Sequence, residues 1–261
     1  MGKWEIPTER KDCGFVFATT GDLYTTLARR TARNLRQTNP DVLIDLYTDQ
    51  QVEDEVFDQI HQLTHKGRRP KMEALRSSRF EKTFYLDADV VVLEDIREVF
   101  AVFDFSDIVG CQGFSRTKGH LKTQGIDIPR CFPLINGGVL GIRKTKQMDC
   151  FLQEWEDRWE NADTLIINLD QPILRGLLFE KRILPLVLPR EYNLIKLNEL
   201  NVWRDVSGGL RILHARKLHS KEHSNPHEPV KLSEILSPEQ VRIVNRARKL
   251  DWTIDAYLEN V

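Results

Sequence analysis

Short apolar segments alternate with an amphipathic one near the start of the chain, and this order restricts the possible folds more than any other feature. Residues 15–19 and 42–47 are apolar runs that end in small polar residues, which is typical of buried strands. Between them, residues 21–37 place apolar side chains at helical spacing, and Asn39-Pro40 ends the predicted helix. This strand–helix–strand order predicts parallel strands joined by right-handed crossovers. We therefore expect an α/β fold with a mostly parallel, twisted central sheet flanked by helices.

Length and charge limit the classes of protein to which the chain can belong. The 261 residues are enough for one large α/β domain with a small addition, and a formal net charge of -1 gives no basic excess of the kind that binds nucleic acid. We expect a core domain at 1–225 and a C-terminal helical extension at 226–261 that packs on it. Ser237-Pro238 is the predicted start of a helix in this extension, with Ser as its N-cap.

The sequence predicts a cytoplasmic protein with reduced cysteines. It has no apolar run of the roughly 18 residues that a spanning helix needs, and the N-terminus does not resemble a signal peptide. Peripheral contact with a membrane stays open. The four cysteines lack C-x-x-C spacing, so free thiols are expected rather than a zinc site or disulfides.

Two carboxylates interrupt the most apolar part of the chain. Asp87-Ala88-Asp89 follows the aromatic and apolar residues 83–86 and precedes the apolar residues 90–93. Carboxylates next to buried strands need partners, and in an extended chain residues i and i+2 face the same side. Two hard oxygen ligands on one side favour Mg²⁺ or Mn²⁺. A turn between two strands, in which Asp is a common residue, is the alternative interpretation.

Other polar residues follow predicted strands, where parallel sheets bind ligands. Thr19, Thr48 and Asp49 stand at two such ends, although Thr and Asp are also ordinary turn residues. His214 ends a third strand and is either a metal ligand or a structural histidine. Asp170 precedes a predicted helix and is either a site residue or a simple N-cap. His219, His223 and His227 lie in a polar segment and are expected at the surface.

Five segments in this order resemble the GT-A glycosyltransferases, and within them the glycogenin-like family 8. The resemblance covers about residues 14–217, most of the chain. Its segments are Lys71-Met72-Glu73-Ala74-Leu75, Phe84-Tyr85-Leu86-Asp87-Ala88-Asp89, Ile135-Asn136-Gly137-Gly138-Val139, Asp170-Gln171 and Leu213-His214.

The resemblance implies a role for each matching position. It implies that Asp87, Asp89 and His214 bind a divalent cation, usually Mn²⁺. It implies contacts with the nucleotide, the diphosphate or the donor sugar at Thr19, Asp49, Lys71, Asn136, Gly137 and Gly138. It also places Asp170 and Gln171 opposite the reacting carbon.

The implied activity is metal-dependent transfer of a sugar from a nucleotide-diphosphate donor, with UDP the usual nucleotide and retention the usual outcome. The acceptor is expected to be a glycan, a lipid-linked sugar or a small molecule, bound by the variable segment 112–133. The family places a glycine and then a lysine–proline–tryptophan run after the histidine, and this chain does not. The basic side chain that contacts the phosphate is therefore Arg216, Lys217 or Lys221, and Lys217 is the first candidate.

Two other functions are compatible with part of this pattern. A sugar-nucleotide pyrophosphorylase would need a glycine-rich loop after the first strand, and residues 18–22 read Ala-Thr-Thr-Gly-Asp. A non-catalytic relative that binds a nucleotide or a glycan would not need Asp87, Asp89 and His214 together.

Overall fold

A mixed β-sheet forms the centre of the computed structural model, which describes residues 12–64, 69–113, 126–162, 169–203, 208–220 and 224–251. The strands in these residues are β1 (Cys13–Thr19), β2 (Ile44–Thr48), β3 (Gln59–Gln62), β4 (Lys82–Leu86), β5 (Val90–Val92), β6 (Ile108–Gln112), β7 (Ile135–Arg143), β8 (Leu186–Leu188) and β9 (Ile212–His214). The α-helices are α1 (Asp22–Thr38), α2 (Lys71–Ser77), α3 (Lys146–Glu160), α4 (Gln171–Glu180) and α5 (Pro238–Leu250).

The main sheet has seven strands in the order β3-β2-β1-β4-β7-β6-β8. The first four are parallel, β7 is antiparallel to both of its neighbours, and β6 and β8 are parallel. A small second sheet pairs β5 with β9 in antiparallel orientation. The predicted mostly parallel sheet flanked by helices is therefore confirmed, with one antiparallel strand, β7, that the sequence pattern did not indicate.

Strand β1 explains why the centre of the sheet is apolar on both faces. Successive side chains of a strand point to opposite sides, and here Phe15 and Phe17 pack in one core cluster while Val16 and Ala18 pack in the other. All four are buried. Because both faces are covered, the strand reads as a continuous apolar run rather than an alternating one.

The C-terminal residues pack on α1 through polar and apolar contacts. Arg30 of α1 ion-pairs with Glu234, and the amide of Asn34 exchanges hydrogen bonds with the backbone of Val230. Val244 of α5 is buried in the core cluster that contains Phe15 and Phe17. Ser237 caps α5 by accepting a hydrogen bond at 3.2 Å from the backbone N–H of Gln240, as predicted. The division after residue 225 stays a prediction.

Cys13, Cys111, Cys131 and Cys150 are free thiols. Of the helices in the described residues, none is both long enough and apolar enough to cross a membrane.

Candidate active site

The Asp87-Ala88-Asp89 segment is a turn that joins β4 to β5. The backbone N–H of Val90 donates to the carbonyl of Asp87 at 3.3 Å, which closes the turn. The expectation that the two aspartates converge because the chain stays extended is therefore wrong. They converge because the chain reverses direction locally between the main sheet and the small second sheet.

The pairing of β5 with β9 brings His214 to this turn. Val90 is opposite His214 in the register, and the N–H of Ala215 donates to the carbonyl of Asp89 at 2.8 Å. As a result, His214 Nε2 is 3.2 Å from Asp89 Oδ1 and 4.0 Å from Asp87 Oδ2. The three residues that the sequence proposes as metal ligands thus form one cluster at the edge of the sheet.

The donor set of this cluster fits a divalent cation. One ligand atom from each of Asp87, Asp89 and His214 lies within 4.8 Å of the others. Two ligands at about 2.1 Å from one ion can be at most about 4.2 Å apart, and both distances from His214 fall inside that limit. Two carboxylates and one imidazole suit Mg²⁺ or Mn²⁺, which prefer hard ligands.

Two residues that sequence analysis did not identify hold the cluster in place. Tyr85 donates its hydroxyl to Asp87 Oδ1 at 2.7 Å. Asn193 Oδ1 lies 3.2 Å from His214 Nδ1, so a proton on Nδ1 leaves Nε2 free to face the carboxylates. Tyr85 was identifiable, since it lies near the end of β4 and precedes Asp87 by two positions. Asn193 was not, because nothing local connects it to His214.

Gly138 makes room for the cluster. A Cβ atom at this position would lie 2.2 Å from Asp87 Oδ2 and 2.8 Å from His214 Cε1. The carbonyl of Gly138 also accepts a hydrogen bond from the Asp87 N–H at 2.8 Å. The glycine therefore allows the backbone of β7 to lie directly against two of the proposed ligands.

A buried ion pair lies next to the cluster. Lys71, at the start of α2, places Nζ 3.1 Å from Asp170 Oδ2 and 3.6 Å from Asp87 Oδ1. Nζ also donates to the carbonyl of Gly137 at 2.9 Å. Asp170 precedes α4 but makes no capping hydrogen bond with its side chain. Asp170 therefore holds the predicted N-cap position, but its side chain pairs with Lys71, which links it to the cluster of proposed ligands.

Neighbouring charges shift the pKa of the buried groups in both pairs. Burial disfavours the charge on Asp89, but the attraction of His214 and hydrogen bonds from His214 and His219 outweigh it and hold the pKa of Asp89 below its usual value. Burial likewise opposes ionisation of Asp170, and the positive charges of Lys71 and Arg69 lower its pKa. The pKa of His214 and that of Lys71 are raised in spite of burial, because of the neighbouring aspartates.

The Asn136-Gly137-Gly138 segment lies in β7, between these two groups. Asn136 is buried, and its Oδ1 accepts a hydrogen bond from the N–H of Gly138 at 2.9 Å. A Cβ atom on Gly137 would lie 3.1 Å from Lys71 Nζ and 3.2 Å from Asp170 Oδ2. The segment therefore shapes the backbone around the site, and contact of Asn136 with a sugar stays a prediction.

The residues proposed for the nucleotide lie at the ends of β1 and β2. Thr19 is buried, and its hydroxyl is 3.0 Å from that of Thr25. Asp49 is exposed, and its Oδ1 accepts from the N–H of Gly21 at 2.8 Å. Gly21 has φ 79°, a conformation that favours glycine. Asp49 thus ties the end of β2 to the start of α1, while a nucleotide contact through either residue stays a prediction.

The remaining predicted residues lie on α4 and on the segment after β9. Gln171 begins α4 and is half-buried. Lys217 is exposed in the short 3₁₀-helix Arg216–Ser220 after β9. His219 in the same helix is not the simple surface residue that was expected, because its Nε2 lies 2.9 Å from Asp89 Oδ2. Lys221, His223 and residues 114–125 of the proposed acceptor segment fall outside the described residues.

Comparison with solved structures gives glycosyltransferases. The galactosyltransferase LgtC, in complex with donor and acceptor sugar analogues, matches with a TM-score of 0.57 at 15% identity over 82% of this chain and 97% of its own. The glycosyltransferase GlyE of Streptococcus pneumoniae TIGR4 matches with a TM-score of 0.57 at 16% identity over 89% of this chain and 63% of its own. The chain has the GT-A fold. No protein-family model and no curated protein matches the sequence.

The GT-A fold accounts for the position of the site. Asp87 directly follows the central strand β4, Thr19 is the last residue of the neighbouring parallel strand β1, and Asp49 directly follows β2, the next parallel strand. Asp87, Thr19 and Asp49 therefore lie at the carboxyl edge of the parallel strands, where α/β sheets bind ligands. At identities this low the likeness defines the fold alone, because one fold can carry many different activities.

Proposed function

We propose that this protein is a metal-dependent glycosyltransferase that uses a nucleotide-diphosphate sugar. The observation that carries the proposal is the convergence of Asp87, Asp89 and His214 at the carboxyl edge of a GT-A sheet. Lys71 lies 3.6 Å from Asp87 and pairs with Asp170. A buried carboxylate cluster is costly for stability unless it has partners. Its presence beside a ligand-binding edge favours a functional over a structural explanation.

The proposed role of Asp87, Asp89 and His214 is to hold Mn²⁺ or Mg²⁺ together with the donor diphosphate. Such an ion, when bound, supplies Lewis-acid stabilisation of the negative charge that develops on the leaving diphosphate. Tyr85 and Asn193 keep the ligands oriented before the donor arrives, so little reorganisation is needed on binding.

Lys71 and Asp170 are proposed to face the donor sugar. Asp170 is held ionised, so it can stabilise the positive charge that develops on the sugar as the bond to phosphate breaks. Lys71 fixes the orientation of Asp170 and adds positive charge beside Asp87. Gln171 is the neighbouring polar group that can contact the sugar or the acceptor. Lys217, or Arg216 beside it, is proposed to meet the diphosphate from the exposed 3₁₀-helix.

The finer assignments rest on the family resemblance. We propose UDP as the nucleotide, membership of the glycogenin-like family 8, retention of anomeric configuration and a cytoplasmic location. LgtC was crystallised with donor and acceptor sugar analogues, which supports a sugar donor and a glycan, lipid-linked or small-molecule acceptor here.

Binding measurements test the donor class directly. Titration calorimetry of the full chain with UDP, GDP and their sugars, each with and without Mn²⁺, should give binding of one nucleotide that requires the ion. Absence of binding by every nucleotide to folded protein would contradict the proposal and favour a non-catalytic binding protein. Release of nucleoside diphosphate rather than pyrophosphate separates a transferase from a pyrophosphorylase, and proton NMR of the first-formed product gives its anomeric configuration.

A matched pair of variants tests the metal ligands. Asp89→Ala should abolish ion-dependent nucleotide binding and transfer while the protein stays folded. Asp149→Ala is the control, because Asp149 is an exposed aspartate in the first turn of α3, away from the cluster. Undiminished turnover by folded Asp89→Ala protein would refute the role of Asp89.

A further inference from the structure

The two oxygens of Asp89 have two different histidine partners. Oδ1 lies 3.2 Å from His214 Nε2, and Oδ2 lies 2.9 Å from Nε2 of His219. The Asp89 side chain is 9% exposed, whereas the His219 side chain is 38% exposed. His219 therefore covers the outer oxygen of a carboxylate whose inner oxygen faces the other ligands.

His219 is itself held from the opposite side. Its ring packs edge-to-face on Tyr24, with the ring centroids 5.3 Å apart and an interplanar angle of 79°. Tyr24 lies in the first turn of α1, next to the strand ends proposed for the nucleotide. Contacts with two separate elements fix the imidazole, so its hydrogen bond to Asp89 is not that of a freely rotating surface side chain.

We propose that His219 is a positioning residue that donates a hydrogen bond to Asp89 Oδ2 and thereby directs Oδ1 toward the divalent cation. The inference rests on the proposed function, since it requires that Asp89 binds an ion. A carboxylate that is anchored through one oxygen has fewer orientations to lose when the other oxygen coordinates a metal. Outer partners of this kind typically change metal affinity by about 10–100-fold when they are removed.

A structural explanation makes a different prediction. If the His219–Asp89 contact only joined the 3₁₀-helix to the turn, its loss would lower thermal stability and leave the affinity of folded protein for the ion unchanged. A positioning role instead lowers ion affinity and is rescued by a side chain that can still donate a hydrogen bond. The two roles are therefore separable by measuring stability and ion affinity on the same variants.

The experiment compares four forms of the full chain by Mn²⁺ titration, with free Mn²⁺ followed by electron paramagnetic resonance and melting followed without the ion. They are the wild type, His219→Ala, His219→Gln and the control His227→Gln. His227 is an exposed histidine near Arg29 and Arg33 of α1, outside the cluster. We expect His219→Ala to bind Mn²⁺ about 10–100-fold more weakly, while His219→Gln, whose amide can donate, regains most of that loss.

Each outcome has a separate meaning. If the wild type binds Mn²⁺ and His219→Ala binds it with the same affinity, the positioning role is overturned while the proposed metal site stands. Weakened binding that His219→Gln does not restore also overturns it, because packing on Tyr24 and not the hydrogen bond would then be responsible. Absence of Mn²⁺ binding by the wild type, with and without UDP, refutes the proposed metal site itself and this inference with it. Weaker Mn²⁺ binding by the control His227→Gln would overturn the inference, because the effect would then not be specific to His219.

Discussion

Substitution of Gly138 by alanine is the sharpest single test of the site geometry. A Cβ atom at this position would lie 2.2 Å from Asp87 Oδ2, 2.7 Å from Asp87 Cγ and 2.8 Å from His214 Cε1. The backbone of β7 cannot retreat easily, because it pairs with β4 on one side and β6 on the other. The Asp87 side chain, which is 27% exposed, is therefore the group that has to move furthest, and the His214 ring has to shift by a smaller amount.

The required movement is large compared with what a metal site tolerates. Ordinary carbon–oxygen contact begins at about 3.4 Å, so Asp87 Oδ2 must shift by roughly 1 Å, whereas ligand distances are held within about 0.2 Å. Asp87 is then lost as a ligand, and Mn²⁺ affinity should fall by at least about 100-fold, the upper end of what an outer-shell change costs. Because Asp87 can turn toward solvent, the loss of stability should be only about 1 kcal/mol, or roughly 2–4 °C in Tm.

Gly137→Ala is the matched control. Its Cβ would meet Lys71 Nζ at 3.1 Å and Asp170 Oδ2 at 3.2 Å, and neither is a proposed metal ligand. Mn²⁺ titration followed by electron paramagnetic resonance should therefore give near wild-type affinity for Gly137→Ala and a large loss for Gly138→Ala. Equal Mn²⁺ affinity of folded Gly138→Ala and the wild type would refute the assignment of Asp87 as a ligand.

Other perturbations probe the charges around the site and in the fold. Lys71→Met should lower the free energy of unfolding, measured in urea, by about 3 kcal/mol, because it leaves the charge of Asp170 buried without its main partner. The double variant with Asp170→Asn should regain most of this stability. Wild-type stability of the single variant would contradict the buried ion pair. Tyr85→Phe should weaken Mn²⁺ binding about 10-fold, because it removes the hydrogen bond to Asp87. The free energy of unfolding should change little, since Asp87 is partly solvated. Unchanged Mn²⁺ affinity would mean that Tyr85 does not orient Asp87. Asp54→Asn should destabilise by about 1–3 kcal/mol at pH 7, because the side chain of Asp54 is only 1% exposed and pairs with two arginines of α1. Burial would raise the pKa of Asp54, but the two arginines outweigh it and lower this pKa. The stabilisation is therefore present above the unfolded pKa of about 3.9 and is lost as the pH falls through the lower folded pKa. A stability difference between Asp54→Asn and the wild type that stays constant from pH 7 to pH 2 would contradict this explanation.

Local patterns in the sequence predicted most of the secondary structure. The predicted helix at 21–37 is observed as α1 (Asp22–Thr38), and the predicted strand at 83–86 as β4 (Lys82–Leu86). The sequence also predicts a helix from Lys71 to Phe80, and the observed helix α2 is shorter and ends at Ser77. These agreements have a common reason, because side-chain periodicity and capping depend on residues a few positions apart.

The site residues were predicted only where a local pattern or the family resemblance marked them. The aspartate pair is conspicuous because it interrupts an apolar stretch, and His214 because it ends a strand. His219 was assigned to the surface for a reason that holds for most histidines in polar segments, and only its distance to Asp89 corrects this. Asn193 has no sequence signal, since its partner, His214, lies 21 positions away on β9.

The sequence by itself determined the alternation of strands and helices, the apolar faces of the sheet and the residue types available for chemistry. The tertiary structure decided that Asp87-Ala88-Asp89 is a turn, that β7 is antiparallel, and that Val90 pairs with His214. It also decided that Lys71 meets Asp170 rather than solvent. The physical reason is that propensity and periodicity act over a few residues, whereas strand register and the pairing of buried charges depend on how distant segments pack together.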